Sequence, residues 1–191
     1  MITLGIDQSL SKCAMVLMED SKPVEHYLIR TGDVNTKQVK NVVYFNTLEE
    51  RIHHICMELK DIVTKTNPEN IVFESLSFGS TGDASRNLAG LYHAMRETLI
   101  CMEYKGSVHT ITPTGLKAFA RSFLLEDRQY EGKLATGKPK LIKMDKKLIV
   151  EAVKSKYGED YLKGYNYSNG LDDLADATFL ALYVQSGKIN A

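Results

Sequence analysis

The chain has no surplus of either charge: 24 Lys and Arg balance 24 Asp and Glu over 191 residues. That excludes a wholly basic nucleic-acid-binding protein. A local basic face opposite an acidic site stays open, because affinity for polyanions depends on where the charges lie. Cysteine is scarce, and Cys13, Cys56 and Cys101 are odd in number, widely spaced and set among apolar neighbours. They read as buried thiols in a reducing compartment and exclude a disulfide framework or a cysteine zinc site. No apolar run approaches the roughly eighteen residues needed to span a bilayer, and the N-terminus carries no signal-peptide pattern, so a cytoplasmic location is expected. Internal repeats and low-complexity linkers are missing too. What remains is the composition of an ordinary globular protein, expected as a single domain over residues 1–191.

The informative stretch is Ile2-Thr3-Leu4-Gly5-Ile6-Asp7-Gln8-Ser9. It reads as a buried strand whose last residue is acidic. A carboxylate ending a core strand costs several kcal/mol unless it is partnered. Either Asp7 makes an Asx-turn with the amides before Ser9 and Ser11, or it is one of several carboxylates gathered round a metal ion.

Lys12–Glu19 and Val24–Arg30 read as two further strands, the first joined to its predecessor by a hairpin-length link, so an antiparallel meander is expected. The polar stretch Thr31–Asn41 reads as a mobile loop. Thr47 with Glu50 forms a capping box for a helix that Asn67-Pro68 terminates. Ile71-Val72-Phe73-Glu74 is a short buried strand that again ends in an acid. A helix from Asp83 to about Tyr104, a fifth strand Ser107–Ile111 and a helix opened by Thr112-Pro113 follow. Glu126–Pro139 looks the least ordered. Met144–Tyr157 and Asp172–Val184 read as closing helices around an irregular tyrosine-rich segment. This order predicts an α/β fold with one five-stranded mixed sheet, strands 1–3 antiparallel, flanked by helices.

The last helix carries Asp172, Asp173 and Asp176. Residues three apart share a helix face, so Asp173 and Asp176 can point at one site. Asp172 is turned by about 100° and reads as a helix-start acid facing the dipole or solvent. A dipole effect accounts for one or two of these acids, but not for two more that end apolar strands. Four neighbouring carboxylates repel unless cations neutralise them. Hard oxygen ligands suit Mg²⁺ or Mn²⁺, and a pair of such ions about 4 Å apart activates water and stabilises a leaving oxygen in phosphodiester cleavage.

Together, Gly5-Ile6-Asp7, Val72-Phe73-Glu74 and Asp173-Leu174-Ala175-Asp176-Ala177 resemble the RuvC-type Holliday-junction resolvases of the RNase H-like superfamily. Thr112-Pro113-Thr114 with Lys117, and Gly137-Lys138 with Lys143 and Lys146, are similar to further segments of that family. The resemblance runs in order along nearly the whole chain and is nearest to the divergent phage members, through a longer 126–139 stretch. It implies an RNase H-like fold and a homodimer that cuts four-way DNA junctions by paired symmetric nicks. It also implies two Mg²⁺ ions per site, with Mn²⁺ able to substitute, held by Asp7, Glu74, Asp173 and Asp176. Lys146, favoured over Lys143, would be the cation at the active site, and Phe78 would stack on junction bases.

Glu131–Lys147 contains six lysines (133, 138, 140, 143, 146 and 147) against Glu131 and Asp145. Beside an acidic site, such a patch would hold phosphate backbones, so Lys138, Lys140, Lys143 and Lys146 are expected DNA contacts, with Lys117 as another. Phe78 either stacks on an unpaired base or packs under its own loop. The five histidines have no ligand spacing with the acids. The helix around 84–102 carries more apolar and small residues than one sheet face needs, and with the resemblance this points to the dimer contact. Three rivals stand beside the resolvase reading. A sugar-kinase or actin-like ATPase would need a second domain. The others are another RNase H-like nuclease acting on RNA or RNA–DNA hybrid, and a non-catalytic branched-DNA-binding protein, which four retained acids disfavour.

Overall fold

An alternating strand that begins the chain becomes the middle of the sheet. The computed structural model describes residues 1–76 and 82–188. Strand β1 (Ile2–Asp7) pairs antiparallel with β2 (Lys12–Glu19), and β2 pairs antiparallel with β3 (Lys22–Asp33). On its other side β1 runs parallel to β5 (Asn70–Glu74), which is parallel to β6 (Ser107–Ile111). A short strand β4 (Val43–Phe45) adds parallel to the end of β3. The sheet therefore has six strands in the order β4-β3-β2-β1-β5-β6, and the expectation of five is corrected by β4. Part of the expected 31–41 loop is in fact strand, because β3 continues to Asp33.

Helices α1 (Leu48–Thr66) and α2 (Asp83–Cys101) cover one face. Helices α3 (Pro113–Arg121), α4 (Lys146–Tyr157) and α5 (Leu171–Gln185) cover the other. Period-2 alternation assigns side chains to these two cores: Leu4, Ile6, Ile71 and Phe73 pack under α1 and α2, whereas Val72 packs under α5. The α1 capping box forms as its sequence requires, with Glu50 N donating to Thr47 Oγ1 at 3.2 Å and Thr47 N to Glu50 Oε2 at 3.1 Å. Thr112 caps α3 in the same way, accepting from Gly115 N at 3.1 Å.

The stretch read as least ordered contains a 3₁₀ turn (Glu126–Arg128) and a small hairpin of β7 (Tyr130–Lys133) and β8 (Pro139–Leu141). Every residue of the two strands is exposed, so the hairpin stands off the body. Cys13 and Cys56 are buried as expected, but Cys101 at the end of α2 is exposed. No helix among the described residues is long and apolar enough to cross a membrane.

Helix α5 fixes the geometry that matters. Apart from its acids it is apolar almost all round, as befits a helix sunk between sheet and neighbours. It lies directly on β1 at Gly5. A Cβ there would stand 2.1 Å from the Ala177 carbonyl and 2.7 Å from Ala181 N, so only glycine permits this approach. At the far end, Gln185 Nε2 donates to Met18 O at 3.0 Å, Thr3 Oγ1 at 3.2 Å and Met1 O at 2.9 Å. At its start, Gly170 has φ 104° and leaves no room for a side chain against Leu28. The helix is thereby pinned at both ends and in the middle.

Candidate active site

Two parallel neighbours that both end in an acid place those acids side by side. The register matches Ile6 with Phe73, so Asp7 and Glu74 are the next pair at the carboxyl edge of β1 and β5. Both lie two residues beyond positions that face α5, Gly5 and Val72, and by period 2 they share that face. Ala177 sits over Gly5, so Asp176 and Asp173, one residue and about one turn earlier on α5, arrive at the same edge.

The electrostatics of the four acids record this proximity. Burial, and then the charges of Asp176, Glu74 and Asp173, hold the Asp7 carboxyl well above the usual carboxylate range. Asp176 is pushed up to about 7 by burial and then by Glu74, Asp172 and Asp173. Burial also raises Glu74, partly offset by Lys117, and raises Asp173, partly offset by Lys12 and Lys146. The turn after β1 is served by Ser9, whose Oγ accepts from Ser11 N at 3.4 Å. Among the described residues no turn amide donates to the Asp7 side chain, so the Asx-turn account of this acid fails.

Three features of the site were missed or misread from the sequence. Asp172 does not face solvent: it is only 2% exposed and is bonded to Lys146 Nζ. Its pairing cation comes from the first turn of α4, which a helical projection of α5 alone cannot reveal. Lys12 Nζ stands 3.5 Å from Asp173 Oδ2 and donates to the Tyr167 carbonyl at 3.0 Å. The sequence clue was a lysine opening the strand that pairs with Asp7's strand. Gln8 is 6% exposed and donates from Nε2 to the Glu74 carbonyl at 2.7 Å, tying the two acid-bearing strand ends together.

Among the predicted residues, Lys117 on α3 acts electrostatically on both Glu74 and Asp176, and Lys146 touches the site through Asp172. Lys140 instead pairs with Glu131 at 2.8 Å within the exposed hairpin. Lys138 and Lys143 are exposed beside it. Phe78 lies outside the described residues. Of the tyrosines, Tyr157, Tyr161 and Tyr165 pack against the α5 core, while Tyr167 is exposed. His26 meets Tyr161 at 3.1 Å and His109 meets Asn70 at 2.9 Å, both away from the acids.

Among the described residues, no three His, Cys, Asp or Glu side chains are drawn up tightly enough to hold an ion as they stand. The donor set nevertheless fits a hard divalent cation. Gln8 Oε1 is buried beside the strand ends with no hydrogen-bond partner, and Asp173 Oδ2, buried too, has only the Lys12 ammonium 3.5 Å away. Four mutually repelling carboxylates supply oxygen ligands only, which suits Mg²⁺ or Mn²⁺ and is poor for zinc.

No protein-family model and no curated protein sequence matches the chain. Solved structures do. RuvC of T. thermophilus in complex with a Holliday junction substrate aligns over 99% of this chain and 96% of its own, with a TM-score of 0.66 at 14% identity. RuvC of the same organism in a second structure gives a TM-score of 0.65 at 15% identity, covering 98% and 97%. The yeast mitochondrial Holliday junction resolvase gives 0.59 at 14% identity, covering 98% of this chain and 80% of that one. The chain therefore has the RNase H-like fold of the RuvC-type resolvases, as the resemblance in its sequence implied.

Proposed function

We propose that the protein is a metal-dependent endonuclease that resolves branched DNA, four-way junctions above all, by paired symmetric nicks. The observation that carries this reading is the meeting of Asp7, Glu74, Asp173 and Asp176 from β1, β5 and α5 at one sheet edge. It is supported by the fold shared along nearly the whole of this chain with structures of junction resolvases. Two Mg²⁺ ions, or Mn²⁺ in their place, held by these four acids would supply activation of water and stabilisation of the leaving oxygen. The chain's own part is to hold and shield that set. Gly5 lets α5 close on β1, Gln8 ties Asp7's strand end to Glu74's, and Lys12 and Lys146 offset the cluster's negative charge. Lys117 and Lys146, which act on the acids, would offer positive charge to a phosphate reaching them, and the exposed hairpin lysines would add to it.

The active molecule is proposed to be a homodimer through α2. Leu91, Met95 and Leu99 are buried against the sheet, leaving Gly90 and Ala94 on an apolar groove between α1 and α2 with Ile52, Cys56, Met57 and Met102. The groove holds about 480 Å³, and small residues there allow close approach of a twofold copy.

The decisive experiment replaces Glu74 by glutamine and offers four-way, Y-shaped, linear duplex and RNA–DNA hybrid substrates, each with Mg²⁺ and with EDTA. Wild type should cut the junction only with Mg²⁺. The variant should lose cleavage while binding the junction as well or better, since one repulsive charge is gone. A variant that cuts at the normal rate would refute the site assignment, and preferential cutting of the hybrid would move the reading to RNA processing.

A further inference from the structure

The recess between β3 and the irregular segment before α5 has no part in the arrangement described so far. It holds about 270 Å³ and is lined by Leu28, Arg30, Asn41, Tyr165 and Asn169. That lining offers one guanidinium, two amides and a phenol, with no carboxylate. Arg30 Nη1 donates to the Lys40 carbonyl at 3.3 Å, which fixes the plane of the guanidinium. Its Nε is buried without a hydrogen-bond partner, and no acid pairs with Arg30 among the described residues. With Nη1 committed to Lys40 and Nε enclosed, Nη2, which makes no hydrogen bond among the described residues, is the end of the guanidinium left to donate to an oxygen in the recess.

The surroundings point the same way. In the strand register Arg30 lies opposite Lys12, the residue that reaches Asp173. Lys37 and Lys40 are exposed on the same segment as Asn41. A line of cations thus runs from Asp173 across β2 to β3, on the side of the site away from Lys117 and β6.

We propose that this recess is a phosphate-binding site for the nucleic-acid strand flanking the scissile bond. Arg30 grips one phosphodiester there, Asn41 and the Asn169 N–H not used by the Gly164 carbonyl supply amide donors, and Lys12 bridges the recess to the acids. The inference rests on the nuclease reading above and adds to it a second anchor for the substrate's backbone.

The test is the anisotropy of a labelled four-way junction in EDTA, titrated at several salt concentrations. Arg30→Gln should bind roughly tenfold more weakly, and its log Kd against log salt slope should be shallower by about 0.9, one phosphate contact fewer. Arg30→Lys should keep the slope and lose part of the affinity, having the charge without the fixed direction of the guanidinium N–H. Asn41→Asp guards against misfolding. Its side chain is exposed, and its backbone at φ 61° is one that aspartate tolerates. A carboxylate there should weaken binding by electrostatic repulsion. Wild-type affinity and slope in both Arg30→Gln and Asn41→Asp would overturn the proposal and leave the nuclease reading intact. Failure of the wild-type chain to bind branched DNA would overturn that reading, and this site with it.

Discussion

Replacing Asp176 by asparagine tests the physics of the acid cluster separately from its chemistry. The Asp176 carboxyl is raised from 3.8 to about 7 by burial and by its acidic neighbours. Between about pH 4 and pH 7 the folded chain therefore holds a proton that the unfolded chain has released. The stability tied to that proton is fully present below pH 4 and is lost as pH rises through 7. A displacement of about three pK units corresponds to roughly 4 kcal/mol as an upper bound. Asp7, Glu74 and Asp173 are raised too, so their contributions slope the same way. Asparagine keeps the shape and removes the charge. In EDTA at pH 8 the variant should be more stable than wild type by up to that amount, at about 2–4 °C in Tm per kcal/mol for a chain of this size. Mg²⁺ at 100 times its Kd should stabilise wild type by about 2.7 kcal/mol, and the variant much less. Melts of both proteins from pH 4 to 8.5, with EDTA and with Mg²⁺, measure all of this. A flat wild-type profile in EDTA, or a variant less stable than wild type at pH 8, would refute the claim that these carboxylates are crowded together.

Three shorter predictions follow from the packing. Gly5→Ala puts a methyl 2.1 Å from the Ala177 carbonyl, and overpacking of this kind costs about 1–3 kcal/mol. Because α5 must lift from β1, cleavage should fall further than the stability loss explains, measured by denaturant titration beside a single-turnover assay. Asp172→Asn keeps the shape of a side chain only 3% exposed and removes its buried charge, while the freed Lys146 is 70% exposed and stays hydrated, so stability should change by less than the roughly 3–5 kcal/mol that stranding a buried charge costs. Cleavage should nevertheless slow by about tenfold, 1.4 kcal/mol of barrier, with junction affinity unchanged, and an unchanged rate would remove Lys146's tether from the mechanism. Ala94→Glu places a charge in the apolar groove between α1 and α2. Light scattering should then find a monomer where wild type is a dimer, and an unaltered mass would put the dimer contact elsewhere.

The strand ends were legible in the sequence because each carries its reason locally: an apolar run that closes on a carboxylate, at Asp7 and at Glu74, must explain the charge. Asp173 and Asp176 were legible through the helical period. The capping residues Thr47 and Thr112 were readable for the same reason, since a cap bonds within its own first turn. What stayed hidden is what one element does to another. Val43–Phe45 is too short for any period to declare it and becomes a strand only because the end of β3 offers an edge. The 126–139 stretch is a hairpin whose exposed strands have no apolar alternation to betray them.

Asp172 marks the boundary most sharply. Its position on a helical wheel points it away from Asp173, which for the helix taken alone means toward water. In the fold that direction is occupied by the start of α4, and the acid is buried against Lys146. A carboxylate next in sequence to a candidate metal ligand thus faces a different neighbour and does different work. Four acids converge on the sheet edge, and the fifth holds a lysine beside them. That division explains how one short run, Leu171-Asp172-Asp173-Leu174-Ala175-Asp176, can serve both the negative and the positive side of the same site.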